Sequence, residues 1–142
     1  MTISALLRGK PKVVTIEPSA SIADLVGLLA QFKIGCVVVS ASGGQVDGIV
    51  SERDVVAALG STTADLLAKP VSAIMTRDVL TVGSEATFDD LMRLMTDNRI
   101  RHIPIVDGGS LIGIVSIGDV VKQRIDALEA ERGALVDYIS GR

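Results

Sequence analysis

The chain repeats itself, and that repeat decides most of what it can fold into. Sliding the 142-residue sequence by 66 places Val13, Thr15, Ala20, Asp24, Leu25, Leu28 and Ile34 on Val79, Thr81, Ala86, Asp90, Leu91, Leu94 and Ile100. After a one-residue gap the offset becomes 65. Gly48, Ile49, Val50, Ser51, Asp54, Val55 and Val56 then fall on Gly113, Ile114, Val115, Ser116, Asp119, Val120 and Val121. Ser21/Thr87 and Lys33/Arg99 add conservative pairs. Such density at one offset marks a duplication. One unit of about 50 residues is too small to bury its own sheet face. Two copies packed together can, so one pseudo-twofold α+β module is expected.

Each copy reads as β-α-β-β-α. A β-branched run (Val13–Ile16; Val79–Val82) is followed by an amphipathic segment (Ser21–Lys33; Thr87–Arg99) whose apolar residues recur at three- and four-residue steps, the helical period. Two strands come next, Cys36–Ser40 with Asp47–Val50 and His102–Val106 with Leu111–Val115, joined at Gly43-Gly44 and Gly108-Gly109. Glycine takes positive φ at little steric cost, which suits such turns. A second helix opens at Ser51 and at Ser116. The expected divisions are residues 10–60 for the first repeat, 61–74 for a linker, 75–125 for the second repeat and 126–142 for a helical tail. Within the linker, Thr62–Ala68 has room for another helical turn or two before Pro70.

Composition narrows the function classes. Hydrophobic residues make up 48% but aromatics only 2%, so the core is aliphatic and no stacking platform for single-stranded nucleic acid is available. With a net charge of −3 and interspersed signs, no basic stripe tracks a phosphate backbone. One Cys and one His cannot form a disulfide or a protein zinc site by themselves. No signal-type or membrane-length apolar run occurs, so a cytoplasmic protein without nucleic-acid or membrane partners is expected.

Ser-x-x-Asp occurs as Ser51–Asp54 and Ser116–Asp119. Taken singly it reads as a helix capping box, and Ser21–Asp24 and Thr87–Asp90 fit the same pattern. Context separates the pairs. Ser51 and Ser116 directly follow Gly-Ile-Val, a buried-type strand. A strand running into a helix N-terminus offers free N–H groups to an anion. The Asp one turn on can accept from two neighbouring hydroxyls, as on a ribose.

The duplicated pattern Gly-hydrophobic-hydrophobic-Ser-x-x-Asp, closing a β-α-β-β-α unit, resembles the cystathionine-β-synthase (CBS) domain pair. Val71–Asp78, with Ile74-Met75-Thr76, is similar to that family's lead-in, and Arg99–Asp107 to its segment entering the second strand. The resemblance implies a regulatory, non-catalytic module binding AMP, ADP, ATP, NAD or an S-adenosyl compound between the repeats. It implies ribose contacts from Asp54 and Asp119, and ribose or phosphate contacts from Ser51 and Ser116. It also implies a lining from Ile34, Gly35 and Cys36 in one copy and Ile100, Arg101 and His102 in the other. Thr15 and Thr81, matched in the opening strands, complete the candidates. A flat twofold homodimer and an unidentified effector protein are the implied partners. The rivals are a structural dimerisation module with empty clefts and an enzyme such as a nucleotide hydrolase.

The copies are expected to differ. The second carries Arg101 and His102, suited to phosphate, and Gly118, whose missing side chain leaves a helix start open. The first has Gly35 and Cys36 in place of that pair, and Glu52-Arg53 at its helix start, of which Arg53 could attract a phosphate and Glu52 would repel one. His102 reads as a phosphate contact, a structural histidine or a base, and a phosphate contact would strengthen as pH falls through about 6.5. Cys36 reads as an inert buried thiol, and Asp89-Asp90 as helix N-terminal charge rather than a metal site. Val121, Ile125, Leu128, Leu135 and Ile139 form a heptad seam, interrupted by Arg132, that either folds back or meets a partner chain.

Overall fold

The computed structural model describes residues 1–61 and 64–141. The first repeat forms β1 (Thr15–Ile16), α2 (Ile22–Phe32), β2 (Cys36–Val39), β3 (Gly48–Ser51) and α3 (Glu52–Ser61), preceded by a short helix α1 (Ile3–Arg8). The second forms α4 (Phe88–Asn98), β4 (His102–Asp107), β5 (Ser110–Ser116) and α5 (Ile117–Ile139). The sheet order β1-β2-β3 pairs β1 parallel and β3 antiparallel to the fully buried β2.

The expected opening strands shrink. The first keeps only Thr15–Ile16, and the second only a bridge between Val82 and Ile105. Val79 N–H donates instead to the Arg77 carbonyl in a local turn, which takes the segment off the sheet. Gly108 (φ 56°) and Gly109 (φ 78°) form a two-residue hairpin between Asp107 and Ser110, the positive-φ turn whose twist matches its strands. Its counterpart is a longer loop, in which Gly43 alone has positive φ and Asp47 accepts from Ala41 N–H. Of the helical turns expected over Thr62–Ala68, a 3-10 turn occupies Leu66–Ala68, while Thr62 and Thr63 lie outside the described residues.

Capping fixes five helix starts alike. Thr2, Ser21, Ser51, Thr87 and Ser116 each accept from the N–H three residues on, and Asp54, Asp90 and Asp119 close full boxes. Lys33 and Arg99 end α2 and α4 in the left-handed region (φ 52° and 53°), an uncommon conformation for a non-glycine residue. Both turn the chain sharply into the next strand.

Two aliphatic cores result, and each takes a piece of the other half. The first, around Ile22, Leu25, Val37 and Val50, includes Val71 and packs Ile74 and Met75 from the second repeat's lead-in. Thr76 exchanges backbone hydrogen bonds with Ile49, 2.9 and 2.8 Å. The second, around Leu91, Ile103, Ile105 and Val115, contains Ile3 and packs Leu6 and Leu7 of α1. The matched glycines Gly48 and Gly113 mark these crossings. A Cβ on Gly48 would lie 2.8 Å from Met75 Sδ, and one on Gly113 would lie 2.5 Å from Leu7 Cδ2. The halves are thus stitched into one module.

The C-terminal seam does not fold back. Past Ala127 every described residue of α5 is exposed, and Val121, Ile125, Leu128, Leu135 and Ile139 are between 47 and 76% exposed. No described helix is long and apolar enough to cross a membrane.

Candidate functional site: a cleft shared by the two repeats

Strand-to-helix junctions place the Ser-x-x-Asp motifs. In the first repeat Asp54 Oδ2 accepts from Ser51 N–H at 2.8 Å and from Ser51 Oγ at 3.1 Å. In the second, Asp119 Oδ2 accepts from Ser116 N–H at 2.9 Å. Both strands enter their helices identically, since Glu52 N–H donates to the Gly35 carbonyl and Ile117 N–H to the Arg101 carbonyl. Register sets Cys36 opposite Ser51 and His102 opposite Ser116.

A cleft of about 720 Å³ opens where the halves meet, within the roughly 300–1,000 Å³ usual for small-molecule sites. One wall is the first repeat's Gly35, Cys36, Ser51, Arg53 and Asp54. The facing wall is the second repeat's Ile100, Arg101 and His102. The asymmetry read between the copies is therefore resolved spatially. Arg101 and His102 line the cleft that holds the motif of the first repeat, while His102 also stands opposite Ser116 of its own.

The remaining candidates lie outside this cleft. Ile34 packs on the first core and Thr15 pairs with Val38 in β1. Thr81 is exposed. Ser116 and Asp119 belong to the other junction. Gly118 is exposed there, and a Cβ on it would meet only Ser116 Oγ at an ordinary 3.6 Å, so nothing in the chain itself requires glycine.

Sequence reading missed half of the floor. Asp78, Val79 and Leu80 line it because that segment leaves the sheet, and Arg99 reaches it through its left-handed turn. The Lys33/Arg99 pair was the visible signal, since a cation recurs before each second strand. Glu52 also lines the cleft, its carboxylate close over Gly35. Arg53, Arg99 and Arg101 thus stand among Glu52, Asp54 and Asp78, a charge-balanced wall suited to a polar ligand carrying one anionic end.

Burial, with a smaller push from Asp54, raises the Cys36 thiol to about 12, so it stays a neutral thiol. Burial and the nearby Lys10 charge lower His102 below its ordinary value, against the opposing pull of Asp119. The window for imidazolium–phosphate attraction therefore lies below the pH 6.5 expected from sequence. No group of three or more metal-ligating side chains occurs among the described residues.

The second motif is already engaged. Lys10 Nζ donates to Asp119 Oδ2 at 2.6 Å and to the Ile114 carbonyl at 2.8 Å. Partial burial alone would raise Asp119. The Lys10 and Ser116 hydrogen bonds outweigh it and hold the carboxyl below its usual value.

Known proteins agree with this architecture. The sequence model of the CBS domain matches residues 7–61 and 71–126. A mitochondrial CBS domain-containing protein of Arabidopsis thaliana is 38% identical over 122 residues, covering 83% of this chain and 59% of that protein. The crystal structure of a CBS-domain containing protein from Agrobacterium tumefaciens is 44% identical, with a TM-score of 0.81 over 87% of this chain and 99% of its own. A CBS domain protein of Pyrobaculum aerophilum, complexed with AMP, is 27% identical, with a TM-score of 0.79 over 91% of this chain and 97% of its own. With both repeats matched in order and the same fold recovered, this chain belongs to the CBS domain family.

Proposed function

We propose that the shared cleft binds an adenine nucleotide and that the chain is a regulatory module whose ligand state is passed to another protein or to its own assembly. One observation carries this reading. A carboxylate held by its own capping box, Asp54, lines one cleft together with a basic residue, Arg101, supplied by the other repeat. Asp54 suits a ribose diol and Arg101 a phosphate. A ligand spanning the two touches both halves, so its binding energy bears on how they sit together. The AMP-bound Pyrobaculum relative supports the ligand class. Among the mono-, di- and dinucleotide forms, AMP suits the charge-balanced wall best, and NAD is the next candidate. The inert Cys36 and the largely neutral His102 favour regulation over catalysis.

The test is calorimetry with AMP on wild type and Asp54→Ala. Loss of a charged hydrogen-bond acceptor costs about 1.5–3 kcal/mol, roughly tenfold or more in affinity. Unchanged affinity in a folded variant would refute the ribose assignment.

The same reading includes a twofold homodimer. Val56, Ile117, Val121, Ile125 and Leu128 expose apolar surface on α3 and α5, and a twofold axis lets such a patch cover its own copy. Light scattering should return twice the 14.8 kDa chain mass, and a monomer at micromolar concentration would remove the dimer.

A further inference from the structure

The duplication maps Thr76 onto Lys10, since 76 − 66 = 10, and Ile49 onto Ile114, since 49 + 65 = 114. In the first repeat the Ile49 carbonyl accepts from Thr76 backbone N–H at 2.8 Å. In the second the matching Ile114 carbonyl accepts instead from the Lys10 ammonium, also at 2.8 Å. That ammonium then reaches 2.6 Å to Asp119 Oδ2, the oxygen that already takes Ser116 N–H. Among the described residues Asp54 has no such cation and accepts only from Ser51. Lys10 is not a loose surface side chain. It follows α1, whose Ile3 is fully buried in the second core and whose Leu7 sits against Gly113.

We propose that Lys10 is the residue that makes the two motif copies select differently, acting as an internal cation that occupies the carboxylate of the second copy. A nucleotide then fills the Asp54 cleft first. A ribose diol reaches Asp119 only by displacing Lys10, whose departure also frees the end of α1. This rests on the nucleotide reading of the first cleft, and it adds which residue ranks the two copies.

The experiment is AMP calorimetry on the full chain as wild type, Lys10→Met and Lys10→Arg. Wild type is expected to take one AMP per chain. Lys10→Met should show a second event at least about tenfold tighter than any second event in wild type, and Lys10→Arg should behave as wild type. Two equal sites in wild type, or a folded Lys10→Met with wild-type stoichiometry and affinities, would overturn the proposal. A readout without nucleotide separates the two readings. The Lys10 amine should be acylated several-fold faster in Asp119→Asn than in wild type. Equal rates would overturn this inference alone, whereas no AMP uptake by any variant would overturn the reading of the first cleft.

Discussion

The two Ser-x-x-Asp junctions are nearly superposable in their own bonds and different in what reaches them. Each Asp accepts from its Ser backbone N–H, at 2.8 and 2.9 Å, and each Ser hydroxyl accepts from the Asp N–H, at 3.3 and 3.2 Å. Asp54 then lines a cleft with Arg101 of the other repeat, while Asp119 is held by Lys10. A motif copied with its strand and helix keeps its local geometry. Its availability is set by whichever segment of the other half crosses it, because that segment was not copied faithfully.

The comparison can be broken first at the level of the cores, where it predicts equality. Leu25 and Leu91 are repeat-matched and fully buried. Leu25→Ala and Leu91→Ala should each cost about 2–5 kcal/mol in denaturant unfolding. Because the cores exchange α1 and the linker, each variant should still unfold in one transition. Two separated transitions would show independent halves.

Next comes ligand binding, where the comparison predicts inequality. Asp54→Ala should weaken AMP roughly tenfold or more, and Asp119→Ala by less than about threefold. Equal losses would erase the distinction between the copies. Arg101→Ala sharpens the assignment of the facing wall. It should weaken AMP several-fold more than adenosine, because only AMP carries the phosphate. Equal weakening of both ligands would make Arg101 a packing residue.

The smallest effect is in pH. Asp119 titrates below its ordinary 3.8 in the folded chain, so its contribution is present above that value and fades as pH falls through the folded pKa. Lys10→Met should flatten that acid limb of the stability profile. His102 is also lowered from 6.5, so its share is fully present above pH 6.5 and is lost as pH falls through its folded value. His102→Gln should remove that limb. A wild-type profile that gains stability from pH 6.5 downward would contradict the assignment.

Much of this was legible because the signals were local. The duplication, the four helix starts and the Gly108-Gly109 hairpin follow from spacing, capping and turn chemistry. The opening strands were overread, since β-branched runs such as Val79–Val82 say nothing about whether a neighbouring strand is in reach. The helix α1 was readable but overlooked. Thr2 caps it, and Ile3, Leu6 and Leu7 lie at helical spacing. What no local pattern carried was the exchange between halves. That exchange puts Arg101 in the cleft of Asp54 and Lys10 against Asp119, and it depends on tertiary crossings over Gly48 and Gly113.

The central claim, a nucleotide held jointly by the two repeats, is tested most directly by a crystal structure of the full chain grown with AMP. The account predicts one nucleotide in the shared cleft, its ribose hydroxyls on Asp54 and its phosphate on Arg101, with Lys10 still on Asp119. An empty cleft at saturating AMP, or a nucleotide seated on Asp119 with Asp54 unoccupied, would contradict it.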